Sequence, residues 1–354
     1  MSPATYEHLD VAVIGAGQAG LALGYYLAKA GMSFQLLEAT DKVGTSWAHR
    51  WDSLRLFTPV QYNSLPGFDF PGEPGTHPGK DEVADYLATY AQRHALPVHL
   101  DTRVTRLNGA AGDFRLCFAS REPLRARAVV VATGAFGSPF VPSLANGLDP
   151  QVLQVHSEDY RNPSQLRGDN VAVVGGGNSG FQIALELANH GKRVSLSEGA
   201  RLRSLPQRLL GRDLFWWLTT TGLIGAAGSS RLGHRLRANE PIIGTSRRNL
   251  RRAAVSFRPR TVEAHTDRLA FEDGMDIKVD TVVWATGYRH DDTWIEIPGA
   301  LNEHGVLTNQ DGVTPVEGLY TLGRPWQRDR GSSLLGYVRR DAERLAHRLV
   351  RQAS

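Results

Sequence analysis

Polar and apolar positions along this chain fall into two regimes. Runs with almost no polar break, Val11-Ala12-Val13-Ile14, Ala128-Val129-Val130-Val131-Ala132, Val171-Ala172-Val173-Val174 and Thr281-Val282-Val283-Trp284-Ala285, read as strands covered on both faces. That is the pattern of a parallel sheet held between helix layers. Phe34-Gln35-Leu36-Leu37 and the stretch around Val98 to Thr105 add strands, and helical spacing recurs after Gly20, from Asp81 to His94, and from about Ser332 to Arg351. Two stretches break the rhythm. His49 to Gly79 is aromatic and interrupted by proline, so it predicts a loop, either a site or its cover. Gln207 to Ala254 reads as largely helical and carries Phe215-Trp216-Trp217 as core or channel wall.

Two of the buried strands open into the same glycine pattern, Gly15-Ala16-Gly17-Gln18-Ala19-Gly20 and Gly175-Gly176-Gly177-Asn178-Ser179-Gly180. Each lies between a strand and a helix, the context in which the pattern binds a dinucleotide. The first glycine permits a tight turn, the second lets the backbone approach a pyrophosphate, and the third lets helix pack on strand. The phosphates then rest on free N–H groups at a helix start. Glu38 closes the second strand, where an acid takes the hydroxyls of an adenosine ribose. Both halves also end a strand in Ala-Thr-Gly, with Thr133-Gly134 and Thr286-Gly287, so they share a plan beyond their glycine loops.

The fold class is therefore α/β, with two dinucleotide-binding, Rossmann-like domains, the second inserted into the first. The expected limits are 1–160 for the first part, 161–288 for the insert with its segment at about 207–254, and 289–354 for the return. A crossover rich in proline, at Pro139, Pro142 and Pro163, leads out of the first domain.

Charge and cysteine narrow the functions. The formal net charge is only +4, and Arg247-Arg248 with Arg251-Arg252 look like one helix face, so no nucleic-acid partner is expected. Cys117 is the single cysteine, which leaves no disulfide framework and no dithiol redox pair. No His/Cys/Asp/Glu grouping has ligand spacing, so no metal is expected. No run reaches the roughly 18 apolar residues of a membrane span. A cytoplasmic protein without a membrane partner is expected.

With these residues in view, the chain resembles class B flavin-dependent monooxygenases, in particular the short group that includes plant YUCCA enzymes and bacterial CzcO-like flavoproteins. The carriers are Gly15 to Gly20, Arg50-Trp51-Asp52-Ser53-Leu54-Arg55-Leu56 with Leu65-Pro66, Val174 to Gly180, Leu205-Pro206-Gln207, Ala285 to Tyr288, and Gly323 to Leu335. The resemblance implies FAD on the first motif and NADPH on the second, with NADH open. It implies Gly15, Gly17, Gln18, Ala19, Glu38, Trp47, Val104, Thr133, Gly134, Gly323, Ser332 and Ser333 around FAD. Around the nicotinamide cofactor it implies Gly175, Gly177, Asn178, Ser179, Gly180, Ser197, Arg201, Thr286 and Gly287. No general base is implied, and Trp47, Arg50, Thr58 and Pro59 are the candidates flanking the flavin.

Three departures from the family pattern stand out. The Phe-x-Gly-x-x-x-His fingerprint is half present: His156 and Tyr160 fit, whereas Pro150 and Val152 occupy the Phe and Gly places, which points away from the Baeyer–Villiger branch. Pro59 follows Phe57-Thr58 where many relatives carry asparagine, a proline shared with the YUCCA-like group. Glu198 stands at the same offset from Gly175 as Glu38 from Gly15; an acid there repels a ribose 2′-phosphate, and the family arginine falls at Gly199, with Arg201 and Arg203 nearby. The activity implied is NAD(P)H-driven monooxygenation through a C4a-(hydro)peroxyflavin, acting with O2 on an amine, thioether, 2-oxo acid or similar small molecule. A homodimer is open. The alternatives are a reductase or oxidase passing electrons to a carrier or O2, and a flavin-bound sensor.

Overall fold

The computed structural model describes residues 8–238 and 240–353. In chain order its main elements are β1 (His8–Ile14), α1 (Gln18–Lys29), β2 (Phe34–Leu37), α2 (Lys80–Arg93), β3 (Val98–His99), β4 (Val104–Ala110), β5 (Asp113–Phe118) and β6 (Leu124–Val131). There follow β7 (Leu153–His156), β8 (Asn170–Val174), α3 (Asn178–Asn189), β9 (Arg193–Ser197), β10 (Ser256–Arg258), β11 (Thr281–Trp284), β12 (Leu319–Thr321) and α4 (Arg339–Ala353).

The first sheet has the order β3-β2-β1-β6-β5-β4, and β12 pairs with the C-terminal half of β6. Strands β1, β2, β3, β6 and β12 run parallel, with Val11 opposite both Phe34 and Ala128, while β5 returns antiparallel with Phe114 opposite Ala126. The unbroken apolar runs now have their reason. Val11 and Val13 enter the large core with Leu21, Leu36 and Leu345, while Ala12 and Ile14 enter a second core with Phe114, Ile295 and Leu307. A polar residue would be unsatisfied on either face.

The second sheet, β10-β9-β8-β11-β7, is wholly parallel. It repeats the two-sided burial, Val171 and Val173 facing the large core and Ala172 and Val174 packing on Leu269, Phe271 and Trp284. An antiparallel three-stranded meander over residues 261–278 supplies that cover. The two sheets are joined through a short ribbon in which Tyr288 pairs with Pro139 and Arg289 with Ser138.

Four expectations need correction. The change of sheet comes before residue 160, because Leu153–His156 pairs with Thr281–Trp284 in the second sheet. The segment 207–254 is a mosaic: a hairpin over 208–213, then short helices Leu214–Thr220, Arg231–Ala238 and Arg247–Arg252. Left-handed glycines at 211, 222 and 244 interrupt it. Val98 to Thr105 is not one strand, since Asp101 adopts φ 50° and breaks it. The last helix starts at Arg339; Arg330–Ser333 is a 3-10 turn capped by Asp329, and Leu334 returns to extended backbone. Gly336 makes the link, because a Cβ there would lie 2.2 Å from the Tyr62 carbonyl oxygen.

Candidate active site

The first glycine loop assigns each glycine a separate task. Gly15 has φ +109°, and a Cβ on it would lie 2.6 Å from the Ala132 carbonyl oxygen. On Gly20 a Cβ would lie 2.0 Å from the Gly15 carbonyl oxygen, so α1 touches its own loop there. Gly17 has nothing within 4 Å of its Cβ position, and it starts α1 without a side-chain cap or an acid in the first turn. Such a helix start keeps its N–H groups and positive dipole end free for phosphate. FAD fits this cradle on those grounds.

The neighbours of the loop are held by polar contacts. Glu38 accepts the Ala16 N–H at 3.0 Å and the Thr40 hydroxyl at 2.8 Å, which fixes its carboxylate at the loop mouth. Gln18 joins three segments: its amide donates to the Ser333 carbonyl at 3.3 Å and its oxygen accepts the Trp47 indole N–H at 3.2 Å. Gly323 abuts α1, its Cβ position 2.6 Å from that of Ala19. Gly134, in the loop after β6, has φ +84° and open space where a Cβ would stand, with Thr133 exposed beside it. Val104 begins β4 two residues after Thr102, whose N–H bonds the Glu38 carbonyl at 2.7 Å. Ser332 differs: it is buried, and its hydroxyl accepts the N–H groups of Arg328 and Asp329, so it serves the turn.

The second loop repeats the geometry. Cβ positions on Gly175 and Gly180 would lie 2.1 Å from the Ala285 carbonyl oxygen and 1.9 Å from that of Gly175, while Gly177 is open and starts α3 uncapped. Ser179 follows in the first turn of α3. Three polar residues expected at the coenzyme each make a hydrogen bond to the protein. Asn178 accepts the Ile243 N–H at 2.9 Å, the buried Ser197 hydroxyl donates to the Pro259 carbonyl at 2.8 Å, and Thr286 donates to the Phe140 carbonyl. Arg201 is exposed. Gly287 has φ +82° and open space at its Cβ position, and its carbonyl is 3.1 Å from His156 Nε2.

Glu198 is buried, pairs with Arg247, and keeps Oε1 without a hydrogen-bond partner. It leans over the loop, its Cγ 2.9 Å from a Cβ on Gly176. Arg260 reaches the same corner and donates to the Gly199 carbonyl at 3.1 Å. Sequence reasoning missed Arg247 and Arg260 because both lie far downstream of Glu198. For Arg247 the arginine doublet Arg247-Arg248 was the signal; Arg260 had none.

Between the two loops, Arg50 bridges to the ribbon. It is buried, donates from Nε to the Ser46 carbonyl at 3.1 Å and from Nη1 to the Tyr288 hydroxyl at 2.6 Å, and lies 3.9 Å over the Phe136 ring. Tyr288 in turn meets His156 edge to face at 5.2 Å. Burial holds the His156 imidazole below its ordinary value, and burial raises the Tyr288 phenol against the opposing pull of Arg50. Both groups are neutral near pH 7. Beyond them stands an aromatic wall, Phe57 stacked on Phe215 at 5.8 Å and Tyr62 on Tyr337 at 6.3 Å, with the Tyr337 phenol pushed up to about 12 by burial. Thr58 turns inward, its hydroxyl donating to Asn63 at 2.6 Å, and the Asn63 amide donates to the Pro59 carbonyl at 3.2 Å. These two hold the loop's shape. Cys117 is buried and alone, and among the described residues no group of acids, histidines and cysteines could hold a metal.

Two glycine cradles, each at the end of a parallel strand in its own sheet, joined by one ribbon and lacking a cysteine pair, define a flavin- and pyridine-nucleotide-dependent oxidoreductase. The pyridine nucleotide-disulphide oxidoreductase family matches residues 12–206. The chain belongs to that family and, within it, to the class B flavin monooxygenase group, whose cofactors are FAD and NADPH. It is 43% identical over 347 residues to a CzcO-like oxidoreductase of Geobacillus kaustophilus, covering 97% of this chain and 99% of that one. It is 28% identical to the indole-3-pyruvate monooxygenase YUCCA1 of Oryza sativa, over 88% of this chain and 85% of the other. The solved flavin-containing monooxygenase of Stenotrophomonas maltophilia superposes with a TM-score of 0.82 at 27% identity, covering 98% and 99% of the two chains. Among the described residues no helix is long and apolar enough to cross a membrane.

Proposed function

We propose that this protein consumes NADPH to transfer one atom of O2 to a small soft nucleophile or 2-oxo acid, through a C4a-(hydro)peroxyflavin. The observation that carries the reading is the pair of uncapped helix starts behind open glycines, Gly17 and Gly177, together with the Arg50–Tyr288 contact that ties the first sheet's loop to the ribbon. The name of the rice relative favours a 2-oxo acid within the substrate range. The flavin, when bound, supplies the redox and oxygen chemistry. What falls to this chain is to position it and to keep water away, since a wet site loses the oxygen as hydrogen peroxide.

Gly15, Gly17, Gln18, Ala19 and Glu38 seat the FAD adenosine and pyrophosphate, and Trp47, held by Gln18, flanks the ring system with Gly323 and Ser333. Gly175, Gly177, Gly180 and Gly287 receive the nicotinamide dinucleotide. The wall of Phe57, Phe215, Tyr62 and Tyr337 excludes water. No proton-transfer residue is needed for oxygen delivery, which agrees with a neutral His156 and Tyr288 and an Arg50 engaged by protein groups. Turnover under labelled O2 with a panel of amines, thioethers and 2-oxo acids tests the reading. One labelled oxygen per product and near-stoichiometric NADPH use are expected; peroxide as the sole product for every compound contradicts it.

The coenzyme corner carries its own prediction. Arg247 neutralises Glu198, so a 2′-phosphate meets a cation and not a bare acid. Arg247→Gln is expected to weaken NADPH about tenfold more than NADH, the value of one charge-assisted hydrogen bond. Glu198→Gln moves preference toward NADPH. Anaerobic flavin reduction over a range of each coenzyme measures both, and equal shifts for the two coenzymes would leave the pair a purely structural role.

A further inference from the structure

The charge of this protein is not spread evenly. Residues 201–238 hold seven arginines and one acid, a formal +6 in a chain whose total is +4, so the remainder is net negative. The single acid, Asp213, is turned inward, accepting from Gln207 and from the Phe215 N–H. Arg201, Arg203, Arg208 and Arg212 are exposed, as are Arg231 and Arg237 on the following basic helix.

Apolar exposure gathers in the same segment. The hairpin pairs Arg208 with Asp213 and Leu209 with Arg212, and its turn places Leu209 at 47% and Leu210 at 83% exposure. Leu210 has φ 49° and Gly211 φ 77°, two left-handed residues in succession. A turn of that kind favours Asn-Gly or Asp-Gly, and a leucine in it is both strained and wet. The turn would form at lower cost with a polar residue, so the leucine side chain itself needs a use. Behind the tip stand Trp216 and Trp217, both partly exposed, with ring centroids 4.7 Å apart. The Trp217 indole N–H bonds the Leu209 carbonyl at 3.0 Å, and Arg212 lies 5.3 Å from the Trp216 ring centroid.

An apolar tip, paired tryptophans and exposed arginines on the hairpin itself, Arg208 and Arg212, match one environment, the headgroup layer of an anionic bilayer. Leucine enters the acyl boundary, tryptophan prefers the interface, and arginine meets lipid phosphate. A nucleic acid or acidic peptide would satisfy the arginines and leave Leu210 in water. We infer that the 208–213 hairpin with Trp216 and Trp217 docks this protein peripherally on an anionic lipid surface. This revises the expectation of no membrane partner, while the lack of a spanning helix still holds among the described residues. The hairpin is also tied to the aromatic wall, because Gln207 donates to the Phe57 carbonyl at 2.9 Å and His77 Nε2 lies 4.0 Å from Asp213. A docked hairpin would therefore place that wall next to the lipid, a consequence that rests on the proposed function whereas the docking itself does not.

Sedimentation of the full, FAD-loaded chain with phosphatidylglycerol/phosphatidylcholine vesicles, against phosphatidylcholine alone, tests the inference. Partitioning to the anionic vesicles is expected, with a blue shift of tryptophan emission. Leu210→Asn suits the left-handed turn, so its melting temperature should not fall, yet its partitioning should drop at least tenfold. The inference would be overturned by intact protein left in solution, by Leu210→Asn partitioning like the parent, or by a soluble dimer that dissociates on that substitution. Tighter binding to a DNA oligonucleotide than to vesicles, unchanged by Leu210→Asn, would overturn it too and assign the arginines to nucleic acid.

Discussion

Gly177→Val is expected to leave the protein folded and loaded with FAD while weakening NADPH by about two orders of magnitude, roughly 2.7 kcal/mol. Gly177 has φ −84° and ψ −174°, extended backbone that any residue adopts, and no atom lies within 4 Å of its Cβ position. The valine thus meets no protein and fills the space through which a pyrophosphate approaches α3. Gly17→Val is the mirror experiment, predicted to give a folded chain that does not retain FAD. Gly20→Ala and Gly180→Ala serve as contrasts, since their Cβ atoms would fall 2.0 Å and 1.9 Å from carbonyl oxygens of the glycine loops, and they should cost stability directly. Isothermal titration with NADPH, flavin content and melting temperature separate these outcomes. Equal loss of FAD and NADPH in Gly177→Val would contradict two independent cradles.

Arg324→Leu should be strongly destabilising, and because Arg324 directly follows Gly323 the effect is read on unfolding and not on turnover. Arg324 and Asp292 form a 2.7 Å ion pair with side chains only 7% and 4% exposed, and the second Asp292 oxygen accepts the Leu307 N–H at 2.8 Å. Removing the arginine leaves a buried carboxylate without its counter-ion, a cost of about 3–5 kcal/mol. In a protein of this size that lowers the melting temperature by roughly 4–7 °C. The double variant Arg324→Leu, Asp292→Leu should recover most of the loss, because two apolar groups carry no desolvation penalty. Urea unfolding of the three proteins measures this, and a single variant within 1 kcal/mol of the parent would mean that water reaches the pair in solution.

The features legible in the sequence were those fixed locally. A glycine loop is specified by residues next to one another, so both cradles, their strands and helices, and the position of Glu38 are visible before any folding. Two-sided burial likewise marks β1, β6, β8 and β11 as continuous apolar runs. What a polar side chain faces is decided by distant chain. Ser197, Asn178, Thr286, Thr58 and Ser332 have the residue types a cofactor site would use, and each has a polar atom bonded to the scaffold, for Ser197, Asn178 and Thr286 by distant chain that no local pattern shows. The partnership of Glu198 with Arg247 was hidden for the same reason: it forms only when Arg247–Arg252 packs against α3. Leu153–His156 carries too few residues to declare its sheet, and pairing with β11 decides it. A helical reading of 207–254 passes over the left-handed glycines at 211, 222 and 244, where the chain turns.

On the function proposed above, this protein is expected to direct oxygen from its reduced flavin to substrate, beyond merely discharging electrons. Stopped-flow mixing of the NADPH-reduced, FAD-loaded protein with oxygenated buffer tests it most directly. The account predicts a species with absorption between those of reduced and oxidised flavin, lasting seconds without substrate and decaying faster when a productive amine, thioether or 2-oxo acid is added. Direct return to oxidised flavin with stoichiometric peroxide, whatever compound is present, would contradict it and assign the protein to electron transfer.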